Sequence, residues 1–537
     1  MHNTALFRGW DARVRPLDGA LSEMSNMSMS EFPLLRSRPL RTTLVSSNLT
    51  NSGGLIRKTM WMPAYGDMVD CLCIPNNNIM SFVYMNGSRV VRVDSTEGSL
   101  IRGSKQMVSM GTKLIIWPDK KFVDAYEPTK IKNLEDFTDN PIPDLDFICE
   151  CGNRLWGCRY AYDPENEVII NELYASALGE PAEWQQFNGI STDSWTASVG
   201  ADGRWTGAIS YNGYPTFFKE HSIFRIYPSA TGAHKVVEYP VPGVMDLASR
   251  SLCNLNGVLY YQGVDGVYAW DGGQPVKVSA AWGSKKFAGG VAGAIGNEYH
   301  LCAAPIPSTA TGYENLVYHA DTGLWSKEDN SRILAFAEMG GKLFYMDGTY
   351  NRLKCCDAAA YDSGKEIFFA WSVVSPPIYY GSLAAPAKAY NYPPQHIRPG
   401  KFIIRLNGQK GTECTLSVKY DLETSFTVIK SFVTKNTDGI YVFPITPKRC
   451  VRFWWKLAGS GQVCIEEVSF VEEQGTDFQH VGLEDAAAVT REVEGVVLEE
   501  RYTVCIALVH YPDRAVETCC LPVTLCTETD TLGHETL

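Results

Sequence analysis

The feature that most constrains this chain is a hairpin syntax: short apolar runs joined by turns that need positive φ. Its clearest instance runs from Asn256 to Val278. Asn256-Gly257 is a turn pair, and Val258 to Tyr261 is apolar and aromatic. Gly263 to Gly266 turns the chain, Val267 to Trp270 follows, and Asp271-Gly272-Gly273 turns it again. Asn-Gly and Asp-Gly accept the left-handed backbone that closes tight hairpins. Strands this short cannot bury their own faces, so such a meander needs copies beside it, as a propeller blade does. One hairpin of an ordinary β-sandwich would carry the same letters, and recurrence decides between the two.

The syntax recurs from about Met62 to Asp357. Met80–Asp94 holds an Asn-Gly turn between strands, and Gly111–Pro128 a Pro-Asp turn. Gly152–Asp163 with Glu167–Phe187 makes a further unit. Ser194–Pro228 makes the next, with turns at Ala201-Asp202-Gly203 and Asn212-Gly213. Gly296–Asp329 and Gly340–Asp357 complete the series. Comparable hairpins recur every 35 to 50 residues or so, roughly the length of a four-stranded blade. The sequence therefore predicts an all-β chain: a β-propeller of six or seven blades over residues 61–360.

The flanks read differently. Residues 1–60 form an extended leader, rich in Met, Ser and Arg and broken by Pro16, Pro33 and Pro39. Arg36, Arg38 and Arg41 form a small basic cluster. It reads either as a salt-bridged, solvated leader or as a contact for an acidic neighbour or DNA phosphate. Met24, Met27, Met29, Phe32, Leu34 and Leu35 are apolar anchors with no core of their own, suited to docking on a neighbour or on this chain's own propeller. Residues 365–476 alternate over longer strands, with Phe402, Ile404 and Leu406 on one face of a strand and Leu416, Val418 and Tyr420 on one face of another. That pattern predicts an antiparallel β-sandwich after the propeller. Residues 477–537 form a C-terminal extension, with an amphipathic helix expected over Leu483–Arg501.

Composition narrows the function classes. A net charge of −12 argues against non-specific capture of nucleic acid, while permitting a passage that repels a polyanion. No apolar run is long enough for a signal peptide or a membrane span. The 16 cysteines follow no framework and read as reduced, buried small hydrophobes. Cys149, Cys151 and Cys158 offer three zinc ligands without a histidine or a second C-x-x-C, so no metal or other cofactor is expected.

Two kinds of site chemistry compete with a purely structural role. Propeller glycosidases use paired carboxylates, for which Asp193, Asp202, Asp265, Asp347, Glu180, Glu183 and Glu220 are candidates. Nearly all sit in turn settings, where carboxylates cap backbone amides. Trp156, Trp184, Trp195, Trp205, Trp270 and Trp325 could stack on sugars, but recurring once per unit they read as filling between blades. Lys219-Glu220 reads as a strand-end salt bridge, and His300 and His319 as core or rim residues. The expectation is that the chain is not an enzyme.

Three stretches carry a resemblance. The leader holds an S-x-M-x-N-x-S pattern at Ser22–Ser28, followed by E-F-P-x-L at Glu31–Leu35. The second stretch is YASALGEPAEWQQFNGISTDSWTASVGADGRWTGAISYNGYPTFFKEHSIFRIYP, and the third SLCNLNGVLYYQGVDGVYAWDGGQPVKVS. Together with the ending FWWKLAGSGQVCIEEVSFVEEQG, they resemble the packaged-DNA stabilisation or tail-nozzle proteins of tailed bacteriophages. The resemblance covers about residues 1–476. It implies a virion protein assembled in the bacterial host cytoplasm: a homo-oligomeric ring, usually of six copies, below the portal and its adaptor. Such a ring contacts other tail proteins and retains packaged DNA until ejection, with DNA passing without sequence-specific binding. It makes Arg36, Arg38, Arg41, Met27, Met29, Phe32, Leu34 and Leu35 candidate partner contacts. A receptor- or carbohydrate-binding tail component is the alternative, and a propeller glycosidase a more distant one.

Overall fold

The computed structural model describes residues 2–472 apart from 47–48, 50–52, 88, 309–311, 358–363, 380–396, 410 and 435–437. Beyond these it describes only two short strands, Tyr502–Thr503 paired with Cys526–Thr527. The helix expected over Leu483–Arg501 lies outside the described residues.

Seven four-stranded antiparallel sheets follow one another along the chain. The first six are plain meanders, beginning at Ile56, Gln106, Phe147, Gly207, Cys253 and Lys286. The blade at Cys253–Lys277 is the Asn256–Val278 unit read from sequence. Asn256 and Gly257 take φ of 53° and 84°, the left-handed pair that a type I′ hairpin requires. The seventh sheet takes three strands from Ile333–Cys355 and its fourth from the leader, Thr42–Val45. The first strand of the seventh sheet packs beside that of the first, so the series closes into a ring. The propeller thus has seven blades, built from residues 42–45 and 56–355 rather than 61–360.

Two boundaries in the sequence reading need correction. Ile56–Met62, placed in the leader, is the innermost strand of the first blade. The unit Ser194–Pro228 straddles two blades. Trp195–Ser198 is the outer strand of the third, Gly207–Tyr211 opens the fourth, and Ala201-Asp202-Gly203 lies in the connection between them. A glycine in a connection has the same signature as a glycine in a hairpin.

Residues 370–472 form a second unit of two six-stranded antiparallel sheets, counting leader strands. The inner faces meet through aromatic rings. Phe453 of one sheet lies 6.2 Å from Phe402 and 4.8 Å from Phe470 of the other. Phe402, Ile404 and Leu406 line one inner face, and Leu416 and Val418 the other, as the alternation predicts; all are buried.

The leader is not a separate strap. Its strands are β1 (His2–Thr4), β2 (Glu23–Ser25), β3 (Met27–Ser28), β4 (Leu35–Ser37) and β5 (Thr42–Val45). β1 and β4 pair with Val463–Glu472 in one sheet of the second unit, and β3 extends that sheet beyond β4. β2 pairs with Ala370–Val374 in the other sheet. β5 completes the propeller.

Candidate functional site

Two places concentrate polar chemistry: the propeller axis and the junction where the leader meets the sixth and seventh blades.

The first strands of all seven blades line an axial cavity of about 580 Å³. Arg250 reaches into it from the turn Ser249–Ser251, between the fourth and fifth blades. Its Nη1 donates to the Leu334 carbonyl at 2.7 Å. Its Nη2 donates to Ser104 Oγ at 2.5 Å, to the Lys105 carbonyl at 3.2 Å and to the Gly53 carbonyl. One guanidinium therefore ties the fifth blade to the seventh, first and second across the axis. Its bonds run to carbonyls and a hydroxyl, and burial lowers its pKa. Beside it Lys105 and Asp119 form a fully buried ion pair, with Asp119 Oδ2 also accepting from Ile101 N at 2.8 Å. Burial raises the pKa of Asp146, a further wall residue, against an opposing bond from Tyr160 N. A cavity of this volume crossed by a guanidinium does not pass a DNA duplex. Any DNA passage in an assembly would run between copies of the chain.

The leader junction is built from buried charge. Arg38 forks onto Glu366, at 2.8 and 2.9 Å, and its Nε donates to Asn26 Oδ1 at 2.6 Å. Its guanidinium also covers the Phe369 ring at 4.0 Å. Arg41 donates to Glu328 at 2.5 Å, to Asp329 at 2.6 Å and to Tyr345 Oη at 3.2 Å. Burial alone would lower the Arg41 pKa, but Asp329, Tyr345 and Glu328 outweigh it and hold it raised. Burial likewise opposes ionisation of Asp329, yet Arg41, Ser331 and Asn315 hold its pKa well below the usual carboxylate range.

A second relay lies alongside. Met29 N donates to Ser326 Oγ at 2.9 Å, and Ser326 Oγ lies 2.8 Å from His319 Nε2. Glu298 then bridges His319 Nδ1 at 3.3 Å and His300 Nε2 at 3.1 Å. Burial pushes Glu298 up, but the two histidines hold it far below its ordinary value. Burial would lower His300, and Glu298 holds it raised. Ser326, His319 and Glu298 have the spacing of a hydrolase triad. Ser326 is nevertheless fully buried beneath the leader backbone, so no substrate reaches its oxygen.

Close backbone approach seats the leader. Gly9, at φ 69°, lies against blade six, where a Cβ would come within 2.3 Å of the Trp325 carbonyl. Trp10 N donates to that same carbonyl at 2.7 Å. Asn26, within the S-x-M-x-N-x-S pattern, takes φ 56° and donates from Nδ2 to the Ala370 carbonyl at 2.8 Å.

These contacts correct the reading of the leader residues as partner contacts. Met27, Met29 and Leu35 are buried in the chain's own core, and Arg38 and Arg41 are consumed by internal carboxylates. Arg36 is exposed and paired with Glu31; Phe32 is exposed and Leu34 half-buried. Five of the eight candidates therefore face inward, because a chain segment with no core of its own docks on the nearest apolar surface.

The carboxylate candidates are mostly committed. Asp193 accepts from Ile190 N and Gln186, Asp265 from Tyr268 and Lys277, and Asp347 from Thr349 N and Lys354. Glu183 accepts from Thr138, Asn140 and Gln185 N, and Glu220 from Asp246 N. Asp202 and Glu180 are exposed in connections. Among the described residues, Lys219 makes no salt bridge at its strand end. It is buried over the Trp205 ring at 4.6 Å and donates to the Ala201 carbonyl at 2.6 Å. Five of the six tryptophans are buried, and Trp195 is half-buried beside His234. Cys149, Cys151 and Cys158 lie in one apolar cluster with Trp156 and Phe217, and burial raises all three thiols. Among the described residues, no group of three or more His, Cys, Asp or Glu side chains could hold a metal ion.

The chain matches no family model and no curated protein. Solved structures give distant likenesses. BamB from Moraxella catarrhalis aligns over 59% of this chain and 97% of its own, at 9% identity and a TM-score of 0.33. BBS1N, solved in complex with ARL6DN, aligns over 61% and 98% at 10% identity and a TM-score of 0.33. An exo-beta-1,3-galactanase from Phanerochaete chrysosporium aligns over 76% and 100% at 9% identity and a TM-score of 0.19.

Proposed function

We propose that this chain is a non-catalytic building block of a tailed-phage virion, a tail-nozzle or head-to-tail ring protein that helps retain packaged DNA until ejection. The supporting observation is one of place. The S-x-M-x-N-x-S residues that carry part of the resemblance lie where the propeller meets the paired sheets, with Asn26 N donating to the Glu328 carbonyl beside blade six at 3.1 Å. Ser22 Oγ donates to the Ser375 carbonyl at 2.8 Å, and Met24 and Ser28 are buried. Asn26 bonds both Arg38 and Ala370. A propeller welded in this way offers rigid lateral faces, and such faces close into rings when heterologous contacts repeat by rotation. The partners would be further copies, a portal adaptor or other tail proteins.

The test is location and mass. Quantitative mass spectrometry of purified virions should find the chain in a fixed ratio to the portal, and antibody labelling should mark the tail or head-tail junction. Native mass spectrometry should give a multiple of 59.6 kDa. Absence from purified particles would sink the reading. A carbohydrate-binding reading draws on the half-buried Trp195–His234 pair, whose rings lie 5.4 Å apart. It predicts a glycan-array signal that Trp195→Ala removes.

A further inference from the structure

One buried cation lies outside both the propeller axis and the leader junction. Lys58, on the innermost strand of the first blade, is only 8% exposed. Its Nζ reaches across to the second blade, donating to Ser109 Oγ at 2.7 Å and to the Gly111 carbonyl at 2.8 Å. An ammonium has three N–H groups. The third finds no acceptor among the described residues, and among them Lys58 makes no ion pair. Burial lowers its pKa, and the electrostatic pull of Cys73 and Asp124 offsets this only in part.

Several other buried cations are satisfied from within. Lys105 pairs with Asp119, Arg41 with Glu328 and Asp329, and Arg38 with Glu366. Lys219 spends its three donors on Asn171 Oδ1 and the carbonyls of Ala201 and Asp202. Lys58 instead opens on a recess of about 470 Å³ between blades one and two. Both of its acceptors line that recess, so the ammonium lies at its floor. Arg57 and Tyr126, both exposed, stand on its rim. Two carboxylates of the surrounding strands are already engaged and do not line it. Asp70 accepts from Arg57 at 2.6 Å and from Thr59 at 2.7 Å, and Asp124 from Thr112 Oγ1 and Tyr126 N, each at 3.0 Å. The ionisable side chains of the wall are thus Arg57, Lys58 and Tyr126.

We propose that this recess binds a small phosphorylated molecule, its phosphate seated on Lys58 Nζ and Ser109 Oγ and its organic body against Tyr126. A buried cation without a counter-charge is costly. An oxyanion supplies both the missing charge and the missing acceptor. Ser109 Oγ accepts from Nζ and keeps its own proton to donate, and Arg57 adds a second positive charge at the rim. A phosphate offers three terminal acceptor oxygens to these donors, where a carboxylate offers two. The volume falls among small-ligand clefts, which run from about 300 to 1,000 Å³, and leaves room for more than a bare ion. A nucleic-acid strand is the poorer occupant. The chain's net charge of −12 repels a polyanion, and a recess admits a terminal phosphate more readily than a phosphodiester between two sugars. The site is independent of the virion reading.

Isothermal titration calorimetry of the full chain with phenyl phosphate, inorganic phosphate and benzoate tests it. Phenyl phosphate should bind with a dissociation constant of about 0.1–1 mM. Inorganic phosphate should bind more weakly, and benzoate more weakly still. Lys58→Met keeps the buried stem and removes the charge. It should weaken both phosphates at least about tenfold, as the loss of a charge-assisted hydrogen bond does. Tyr126→Ala should weaken phenyl phosphate alone, down to the level of inorganic phosphate. Circular dichroism melts check that each variant folds. Should Lys58→Met not fold, Ser109→Ala, at an exposed position, carries the test with the same sign. The proposal is overturned if phenyl phosphate gives no saturable heat by about 10 mM, if a folded Lys58→Met or Ser109→Ala chain binds as the wild type does, or if benzoate binds equally well. A single-stranded DNA oligonucleotide that binds more tightly than phenyl phosphate, and loses this with Lys58→Met, would overturn the small-ligand assignment. None of these outcomes moves the expected place of the chain in a virion.

Discussion

The propeller and the paired-sheet unit solve the same problem in opposite ways. Both are stacks of antiparallel strands, and both would leave unpaired edges. The propeller closes on itself, its last blade completed by β5 from the other end of the chain. Its outer strands are short or charged. Among the described residues, the paired sheets are closed on one side, by β1 to β4, and end on the other in two seven-residue strands, Thr427–Val433 and Asp438–Pro444. A single 45-residue leader thus finishes one unit and half-finishes the other. Closure in this molecule is a property of the leader more than of either sheet stack.

The comparison is broken most severely at the leader. Arg41→Met should cost about 3–5 kcal/mol, because Glu328 and Asp329 would remain buried without their cation. Trp325→Ala should cost a similar 3–5 kcal/mol by opening a cavity where leader and blade six meet. If the leader is what couples the units, Arg41→Met should split one thermal transition into two in differential scanning calorimetry. A single transition merely shifted down would mean the units couple by some other contact. Arg250→Ala comes next, at about 1–3 kcal/mol, from the carbonyls it leaves without donors at the axis. That loss should fall on the propeller transition alone.

Acid and alkali should act on the junction with opposite signs. Asp329, Glu366 and Glu298 have folded pKa values held below their ordinary ones. The stability they contribute is present above about pH 4 and lost as pH falls. His300 is held above its ordinary value. Its contribution is complete below about pH 6.5 and lost as pH rises through the raised value. The junction should therefore be firmest at mildly acid pH. Its acid limb, with three carboxylates, should be the steeper. His300→Gln should flatten the alkaline limb in urea melts taken across pH and remove only the Glu298 share of the acid limb, leaving the shares of Asp329 and Glu366.

How much of this was legible in the letters follows from what is local. Asn256-Gly257 and Asn212-Gly213 mark their turns because positive φ is a property of two residues, and both pairs adopt it. The alternation at Phe402, Ile404 and Leu406 gives a strand face because the period is fixed by the backbone. Arg250 gives no such signal: it sits in an ordinary Ala-Ser-Arg-Ser turn, and its role comes from three blades far away in sequence. Glu298 and its two histidines lie on adjacent strands, with His319 opposite Glu298 in register. That pairing could have been guessed only by placing Glu298–Ile306 and Glu314–His319 as hairpin partners. The leader's basic cluster was visible as a cluster, but whether its carboxylate partners belong to this chain or to another is a tertiary fact. The candidate site was thus the least readable part, since each of its bonds crosses between blades or units.

The smallest effect is the sharpest test of the open edge. Ser417 pairs with Val428, and Leu416, one residue earlier on the same strand, faces the core. Leu416→Ala should cost about 2–5 kcal/mol, while Val428→Thr, nearly equal in volume, should stay within about 0.5 kcal/mol in a dilute monomer. The difference is burial alone, since both positions belong to neighbouring strands of one sheet. Should Val428→Thr lower the monomer's melting temperature as far as Leu416→Ala does, Thr427–Val433 is already covered within one chain, and the contrast between a closed propeller and a half-open sheet pair fails.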